Sequence, residues 1–466
     1  MNFELLFRAG AQRTASESGA PATPVVRYAL TGAGGGFART LLAQTRLIDR
    51  LAPTVLCDLD LAGVRALCLE LGYEAASLVE CGDVAGVRAL VPGQIALVRD
   101  VALLDPAVFD ILVEGTGNPS VGYRAAHAAL EAKRHVAMVS KEVDAVAGVS
   151  LARFAAQQGV VYTTADGDQP SNLIGWVSWA RTLGLDIVAA GKSSEYDLVF
   201  DEATGEVTQL DQCFPAPELA NLMTLGGDVA ATLAARREAL RGRKTSATAD
   251  YCEMTVVATN TGLVPDVELL HYPVARTTEL ADIYALREDG GVLSRTGAID
   301  VFNMLRRPDE ASFAGGVFVV VRTTDAPTWA LLAQKGHVVS RNGRYACLYL
   351  PYHFMGVETP ITLLEAVLHG RPTGAAQPTQ CAVLAGRATG DIKAGTVLHM
   401  GGHHHDVTGV QAVLLAREAA GENVAPLYLA AHATLARDVA AGELLTLDHL
   451  QNPDEALLAA WRAGAA

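Results

Sequence analysis

The sequence lacks closely paired cysteines and an excess of basic residues. None of its seven cysteines forms a C-x-x-C pair, so neither a zinc ribbon nor a disulfide framework is predicted. The formal net charge is −15, which argues against nucleic acid or an anionic membrane surface as a partner, since both bind a concentrated basic face. We therefore expect a small-molecule ligand.

Long uncharged apolar runs are missing as well. No stretch reaches the length of a membrane span. Near the N-terminus only residues 5–7 form an apolar run, between Glu4 and Arg8, and this does not match a secretory signal. A cytoplasmic protein is the resulting expectation. With 466 residues, half of them hydrophobic, the chain is expected to form more than one domain around large cores, as compact enzymes do.

A glycine-rich segment follows the first predicted strand. "VVRYAL" (25–30) has the β-branched and aromatic residues of a buried strand, and "TGAGGGFARTLLAQ" (31–44) runs from glycines into apolar residues at helical spacing. A helix that begins at such a turn presents backbone N–H groups to a pyrophosphate. We predict a dinucleotide site here, with a plain flexible turn as the alternative. The predicted cofactor-binding positions are Gly32, Gly34, Gly35, Gly36, Phe37 and Ala38.

The G-x-G-x-x-G fingerprint is imperfect in either register. One register uses Gly32 and Gly34 but places Phe37 at the third site, where a small residue is needed. The other uses Gly35 and Ala38 and loses the first glycine. Either register leaves the backbone free to approach a phosphate.

An acidic residue ends the next predicted strand, "PTVLCDLD" (53–60). Asp58 lies 24 residues beyond Gly34, close to the spacing of the acid that binds the adenosine ribose. A carboxylate there repels a 2′-phosphate, so NAD is favoured over NADP. Arg39 and Arg65 could still meet a 2′-phosphate, and Asp58 could instead be an ordinary strand-end carboxylate.

The pattern of strand, turn, helix and strand continues from residue 108 to 142. The turn after the strand "VFDILVE" adds Gly115, Thr116 and Gly117 to the predicted cofactor site. The next strand is predicted to end at Ser140–Lys141, and a linking helix is predicted from Val149 to Gln158. Strands that alternate with helices predict an α/β fold with a Rossmann-type doubly wound parallel sheet.

The candidate catalytic residues follow apolar strands. Lys141 could exchange a proton with a substrate oxygen, although a solvated lysine is the alternative. Asp168 and Lys192 are predicted to form a second catalytic pair, and all three side chains to meet at one pocket, where a neighbouring cation and partial burial would lower a lysine pKa. The alternative for Asp168 is a helix cap. The candidate substrate ligands are Asp166, Gln169 and His353.

The chain is expected to divide in order along the sequence. We predict an irregular segment at 1–24, a dinucleotide-binding domain at 25–159, an α+β substrate and dimerisation domain at 160–374, and a small β-rich domain at 375–466. In the last of these, "GDIKAGTVL" (390–398) matches "RDVAAGELL" (437–445) at an offset of 47 residues, which predicts an internal repeat.

Two charged or titratable runs carry weaker signals. His403, His404 and His405 in "GGHHHD" are interpreted as a polar loop, with a metal site as the alternative, and no metal ligands are assigned. The basic run "AARREALRGRK" (234–244) is interpreted as a solvated helix end, with a substrate phosphate site as the alternative.

Several segments together resemble one family. "GAGGGFARTLLAQ", "GTGNPSVGYRAAHAALEAKRHVAMVSKEVDA", "YTTADGDQPSN", "AAGK", "PYH" and the terminal "DIKAG" resemble homoserine-dehydrogenase-like oxidoreductases that carry a C-terminal SAF-type domain. The resemblance implies an NAD(P)-binding fold, a homodimer and hydride transfer on a small hydroxylated compound, with or without a phosphate. In this comparison Lys141 corresponds to a proton-transfer lysine.

The resemblance leaves the reaction open. One branch of the family is 1-deoxy-D-xylulose 5-phosphate reductoisomerase-like and uses NADPH, and such a reaction would need a divalent metal, for which Asp166, Asp168 and Glu142 are candidate ligands. Homoserine dehydrogenase activity is a further alternative. A non-catalytic nucleotide- or sugar-sensing protein is the rival from another class, because one fold hosts many functions.

Overall fold

The structure is a computed structural model that describes Phe3, Leu6 and residues 24–195, 197–402 and 404–465. The predicted irregular segment at 1–24 therefore lies almost wholly outside the described residues, and so does His403.

The chain forms two compact units that are discontinuous in sequence. The first unit comprises residues up to Ser171, Phe354–Thr379 and the residues from Asp454 onward. The second unit comprises Asn172–His353 and Gln380–Pro453. The linear boundaries drawn from the sequence stay predictions.

The secondary structure contains short strands and helices throughout the described residues. The strands are β1 (Val26–Thr31), β2 (Leu51–Cys57), β3 (Leu78–Glu80), β4 (Ile95–Val98), β5 (Ile111–Glu114), β6 (His135–Met138), β7 (Tyr162–Thr164), β8 (Asp186–Ser193), β9 (Leu198–Asp201), β10 (Glu206–Gln209), β11 (Gln212–Pro215), β12 (Val264–Pro265), β13 (Val274–Ala275), β14 (Ala298–Arg306), β15 (Val317–Arg322), β16 (Val338–Val339), β17 (Tyr345–Leu350), β18 (Ala382–Ala388), β19 (Met400–Gly401), β20 (Asp406–Val407), β21 (Val410–Ala416), β22 (Thr434–Leu435) and β23 (Leu450–Gln451). The α-helices are α1 (Gly36–Thr45), α2 (Leu61–Glu70), α3 (Val84–Arg88), α4 (Pro119–Glu131), α5 (Lys141–Gln158), α6 (Gln169–Thr182), α7 (Val229–Ala239), α8 (Thr248–Thr261), α9 (Leu280–Ile283), α10 (Ala326–Gln334), α11 (Thr359–Leu364), α12 (Leu427–Ala430) and α13 (Glu455–Ala465).

The first unit is built on a seven-stranded parallel sheet in the order β3-β4-β2-β1-β5-β6-β7. After β1 the chain forms β2, β3 and β4 on one side of β1, and it then forms β5, β6 and β7 on the other side. The carboxyl ends of β1 and β5 therefore flank the topological switch point, where ligands bind in sheets of this kind. The predicted Rossmann-type α/β fold is confirmed.

Burial explains why these segments form the sheet. Tyr28 and Leu30 on β1 have no exposed surface, and Leu41 and Leu42 on α1 cover the same core. Each of these side chains contributes roughly 1.5–3 kcal/mol on burial. The apolar periodicity that predicted a strand followed by a helix is therefore the pattern that fills this core.

Helix α5 corrects one prediction. The sequence predicted a strand through Ser140–Lys141 and a helix only from 149 to 158, whereas the helix begins at Lys141 and the strand ends at Met138. The first half of α5 is buried on nearly every side, including Glu142 and Asp144, so its apolar pattern lacks the usual helical stripe. Gly159, with φ of +73°, ends the helix.

The second unit contains a mixed sheet in the order β11-β10-β9-β14-β8-β15-β17-β16. Strand β14 pairs in parallel with β8 and β9, and β15 pairs with β8 in the antiparallel direction. The separate α+β unit expected from the sequence is therefore present, with its own core around Phe302 and Phe318.

The terminal part of the second unit has internal two-fold character. The Asp391 carboxylate accepts a hydrogen bond from the Ala441 N–H at 2.9 Å, and the Asp438 carboxylate accepts one from the Ala394 N–H at 2.9 Å. Each residue lies 47 positions from its counterpart, so the repeat seen in the sequence is confirmed as two reciprocally bonded halves.

The last helix returns to the first unit. In α13, the Ala463 carbonyl accepts a hydrogen bond from Arg153 on α5 at 2.8 Å, and Gly464 lies against Val149 so closely that a Cβ at Gly464 would come within 3.3 Å of the Val149 Cβ. The α-helices among the described residues include none that is long and apolar enough to cross a membrane.

Candidate active site

The glycine turn after β1 is shaped by Gly32. This residue has a φ of +66°, and a Cβ at its position would overlap the Gly115 carbonyl oxygen at the end of the neighbouring strand. Ala38, with 1% exposure, occupies the small position that packs toward the sheet. The turn therefore combines the first glycine of one predicted register with the third residue of the other.

Asp58 holds the middle of the glycine turn. The Gly34 N–H donates to Asp58 Oδ2 at 2.8 Å, and the Asp60 N–H donates to Asp58 Oδ1 at 3.0 Å. The carboxylate at the end of β2 is therefore fixed beside the turn, as a ribose-binding acid must be.

Helix α1 begins at this turn without a side-chain cap, and a Cβ at Gly36 would meet no other heavy atom within 4 Å. The protein's own packing does not demand glycine at Gly36, whereas an approaching phosphate would. A cavity of about 330 Å³ adjoins the turn. It is lined by Gly34, Gly35, Gly36, Arg39, Gly63, Ala66, Leu67 and Glu70. These residues fit a dinucleotide.

The charged pair in this cavity involves Arg39. Its guanidinium binds both carboxylate oxygens of Glu70, at 2.9 and 2.5 Å. The hydrogen bonds from Arg39 lower the pKa of the Glu70 carboxyl. Arg65, the other cation considered for a 2′-phosphate, lies 3.4 Å from Glu80.

The loop after β5 is fixed by a buried acid that the sequence analysis did not single out. Glu114 has no exposed surface, and its Oε1 accepts hydrogen bonds from Thr31 Oγ1, the Thr116 N–H and Thr116 Oγ1. Burial raises the pKa of Glu114. The residue thus ties β1 to the loop that contains Gly115, Thr116 and Gly117. The sequence signal that could have identified Glu114 is an acidic residue at the end of an apolar strand.

Ser140 joins that loop to helix α5. Its Oγ accepts a hydrogen bond from the Gly117 N–H at 2.8 Å, and Lys141 is the next residue and the first of the helix. The loop predicted to bind cofactor and the predicted catalytic lysine are therefore held together at the same edge of the sheet.

Lys141 pairs with Asp168, which follows β7. The Lys141 Nζ donates to Asp168 Oδ2 at 2.7 Å, and the two side chains are 25% and 14% exposed. Both residues lie past the carboxyl ends of neighbouring strands, β6 and β7. The immediate partner of Lys141 is thus a carboxylate and not the second cation that the sequence analysis expected. This arrangement can hold a proton donor in one position.

Asp166 has structural contacts. Its carboxylate accepts hydrogen bonds from the hydroxyls of Thr362 and Thr373, at 2.7 and 2.8 Å, and its carbonyl accepts one from Thr359. It therefore anchors residues 354–379 to the first unit, and these contacts are a different role from the substrate binding considered for it. Burial raises the pKa of Asp166.

Gln169 opens helix α6 and is buried at 5% exposure, and its N–H donates to Asp168 Oδ1 at 3.0 Å. The carboxylates proposed as metal ligands for the reductoisomerase alternative do not assemble, since no group of three histidine, cysteine, aspartate or glutamate side chains suited to a metal occurs among the described residues. Asp166 instead binds Thr362 and Thr373, and Asp168 binds Lys141.

Lys192, in the second unit, has two carboxylate partners. Its Nζ lies 2.7 Å from Asp250 Oδ1 and also binds Glu253, and all three side chains are buried. Desolvation opposes the charge, but the two carboxylates outweigh it and raise the pKa of Lys192. The expected lowering of its pKa is therefore wrong, because both carboxylate partners lie on a helix about sixty residues later in the chain.

The Asp250 carboxylate extends this buried network. Its Oδ2 accepts hydrogen bonds from Ser194 Oγ at 3.0 Å and from the Tyr272 hydroxyl at 3.1 Å. Lys192 therefore lies within a set of buried groups that are linked by hydrogen bonds.

His353 has a local contact. Its Nδ1 lies 3.0 Å from the Gly315 carbonyl oxygen, and Gly315 has a φ of +81°. A Cβ at Gly315 would overlap the imidazole, so glycine is required beside this histidine. These contacts hold the His353 imidazole against Gly315.

The basic run on α7 is only partly solvated. Arg236 has no exposed surface and binds both carboxylate oxygens of Glu279, at 2.6 and 2.8 Å. Arg237, Arg241 and Arg243 are exposed, as the sequence predicted. The interpretation as a solvated helix end is therefore wrong for Arg236.

A comparison with models of protein families found a match in the part of the chain that follows the glycine turn. Residues 167–359 match the model of the family described as "Oxidoreductase DRL, catalytic domain". Residues 167–359 carry an oxidoreductase catalytic region. This region contains Asp168, Gln169, Lys192 and His353 but begins after Lys141. No curated protein matches the chain.

Solved structures show only distant likeness. A probable dehydrogenase from Thermotoga maritima is 14% identical, with 74% of this chain and 90% of that chain covered and a TM-score of 0.38. UDP-N-acetylglucosamine 3-dehydrogenase from Acidithiobacillus ferrooxidans is 13% identical, with 76% and 92% covered and a TM-score of 0.38. DOX-P reductoisomerase in complex with magnesium is 18% identical, with 37% of this chain and 46% of that chain covered and a TM-score of 0.28. Likeness at this level carries no argument about the substrate.

Proposed function

We propose that the chain is an NAD(P)-dependent oxidoreductase that transfers a hydride to or from a small hydroxylated carbonyl or alcohol compound. The observation that carries the proposal is the Lys141–Asp168 pair, 2.7 Å apart, at the same sheet edge as the glycine turn. The family match over residues 167–359 supports the class of reaction.

The first unit supplies the elements of a dinucleotide site. The backbone of Gly34–Gly36 and the uncapped start of α1 suit a pyrophosphate, and Asp58 suits the hydroxyls of a ribose. When bound, the nicotinamide supplies or accepts the hydride. Asp58 favours NAD, whereas NADP would require Arg39 to leave Glu70 and meet the 2′-phosphate.

Lys141 performs the proton transfer in this proposal. As a carbonyl carbon gains a hydride, its oxygen gains a proton from Lys141 Nζ, and the product is an alcohol. In the reverse direction Lys141 accepts the hydroxyl proton as the hydride leaves. Asp168 holds the Lys141 side chain in place through the ion pair. Lys192, with its raised pKa, keeps its charge and has no part in this step.

The finer assignments rest on the sequence resemblance. A homoserine-dehydrogenase-like enzyme with a SAF-type terminal domain is consistent with the internal repeat of that segment. A reductoisomerase-like reaction lacks the three-carboxylate metal site that it would use here among the described residues. We also propose that the protein is a homodimer. Size-exclusion chromatography with light scattering would measure its mass in solution.

The test is cofactor oxidation over a panel of C4 and C5 sugars, sugar phosphates and amino-acid semialdehydes. We expect turnover with at least one compound, and Asp168→Asn should lower kcat while cofactor affinity stays within about twofold, because Asp168 holds Lys141 and not the dinucleotide. Glu80→Gln, an exposed carboxylate on β3, is the matched control. Tight binding of NADH with no turnover across the panel would favour the sensing alternative.

A further inference from the structure

His404 and His405 of the terminal segment lie at the tip of a hairpin. Strands β19 and β20 pair Gly401 with Asp406, and the turn between them contains Gly402 with φ of +76° and His405 with φ of +51°. A positive φ at a non-glycine residue has an energetic cost, so surrounding contacts must hold this turn.

Asp406 supplies those contacts. Its carboxylate accepts a hydrogen bond from Thr248 Oγ1 at 2.5 Å and lies 3.4 Å from Lys244 Nζ. Thr248 is the first residue of helix α8. The hairpin is thereby fastened to the central part of the second unit, which places the neighbouring His404 against the same surface.

A pocket of about 150 Å³ lies at that surface. His404 lines it, with Nδ1 3.2 Å from Glu195 Oε2. The residues around it are Ser194, Glu195, Gln209, Leu210, Gln212, Lys244, Thr245, Ser246, Ala247, Asn303 and His404. Apart from Leu210 and Ala247 these are polar or charged, which is unusual for a gap that merely results from packing.

The position of the pocket is that of a ligand site. Ser194 directly follows β8, and Asn303 lies on β14, which pairs with β8 in parallel, so the pocket adjoins the carboxyl end of a parallel strand. Ser194 also connects it to the buried network, since its Oγ donates to Asp250, the partner of Lys192. The lining residues other than His404 fall inside the oxidoreductase catalytic match.

We propose that this pocket binds the anionic group, a carboxylate or a phosphate, of a small hydroxylated compound, and that His404 of the terminal segment completes it. Lys244 is its cationic donor, Ser246 adds a hydroxyl donor, His404 adds a ring nitrogen, and Glu195 can accept from a ligand hydroxyl. A volume of about 150 Å³ suits the anionic group of a small metabolite.

The proposal rests on the proposed function and gives the terminal segment a part in ligand binding. A purely structural role for that segment would leave the pocket intact without His404. The two ideas therefore make different predictions for variants of this one residue.

The test is NMR of the histidine imidazoles in the full-length protein during separate titrations with inorganic phosphate and with malonate. The His404 signal is assigned from its loss in His404→Gln. We expect the His404 signal to shift with at least one anion, and Lys244→Ala to weaken that binding about tenfold, the loss of one charge-assisted hydrogen bond. Lys335→Ala and His399→Ala, exposed residues outside the pocket, should leave the affinity unchanged.

A shift with phosphate alone assigns a phosphorylated ligand, and a shift with malonate alone assigns a carboxylate. No shift of His404 with either anion at millimolar concentration, or equal affinity in Lys244→Ala and wild type, overturns the proposal. Thermal unfolding of each variant identifies any that fail to fold, in which case His404→Asn and Lys244→Met replace them. NADH binding is measured in a separate titration. If the protein binds the anion but not NADH, the proposed function is refuted and the proposal of an anion site is still supported.

Discussion

Asp144 offers a quantitative test of how helix α5 is buried. Its side chain lies inside the first unit, where the Tyr162 hydroxyl donates to Asp144 Oδ1 at 2.8 Å. Burial raises the pKa of Asp144 to about 6, and the Tyr162 hydrogen bond only partly opposes this. The carboxylate is therefore ionised at neutral pH at a cost to stability, and Asp144→Asn should remove that cost.

The sign and size follow from linkage. The pKa in the folded state lies above its ordinary value of 3.8, so the stabilisation is full below pH 3.8 and is lost as the pH rises toward 6. The total loss is about 3 kcal/mol, of which about 1.4 kcal/mol falls between pH 5 and pH 8. The asparagine amide introduces a donor that costs about 1 kcal/mol. Asp144→Asn should therefore be more stable than wild type by about 2 kcal/mol at pH 8.

The assay is urea unfolding at pH 5 and pH 8, followed by Trp461 fluorescence in a background where the other three tryptophans are phenylalanine. Trp461 is buried on α13, which packs on α5, so it reports on the first unit. The advantage of Asp144→Asn should grow by about 1.4 kcal/mol from pH 5 to pH 8. Tyr162→Phe removes the hydrogen bond that lowers the pKa of Asp144, so the pH-dependent loss of stability should occur at higher pH. An advantage that is equal at both pH values would refute the reasoning.

Three further predictions concern other residues. Gly32→Ala should lower the melting temperature, because φ is positive at this residue and a Cβ would overlap the Gly115 carbonyl oxygen. Gly36→Ala should keep the melting temperature but weaken NADH binding, which calorimetry measures. Arg236→Met should cost about 3–5 kcal/mol in urea unfolding by leaving its buried carboxylate partner unpaired, whereas Arg237→Met should stay within about 0.5 kcal/mol. Asp58→Asn should move the kcat/KM ratio toward NADPH by about tenfold or more, and an unchanged ratio would contradict its assigned role.

Local sequence patterns were sufficient to predict the strand, the glycine turn and the helix that begin the first unit's sheet. The strand before the glycines and the acid after the next strand depend on residues within about 30 positions, so periodicity and spacing could find Gly32 and Asp58. Lys141 and Asp168 follow adjacent parallel strands, and the rule that strand ends share one edge brought them together.

The failures have physical causes. Helix α5 was assigned too short because burial on most sides removes the polar stripe from which a helix is recognised. The partners of Lys192 are Asp250 and Glu253 on a helix about sixty residues later, and a single sequence contains no signal for such long-range pairing. Glu114 was overlooked because a buried acid at a strand end looks like an ordinary turn residue.

The most direct test of the central claim is hydride transfer by Lys141→Met, measured under single-turnover conditions with the substrate identified from the panel. Loss of the proton donor should lower the rate by about 10²–10⁴-fold while the cofactor Kd stays within about twofold, and Lys335→Met should behave as wild type. A Lys141→Met rate within threefold of wild type would contradict the proposed role of the Lys141–Asp168 pair.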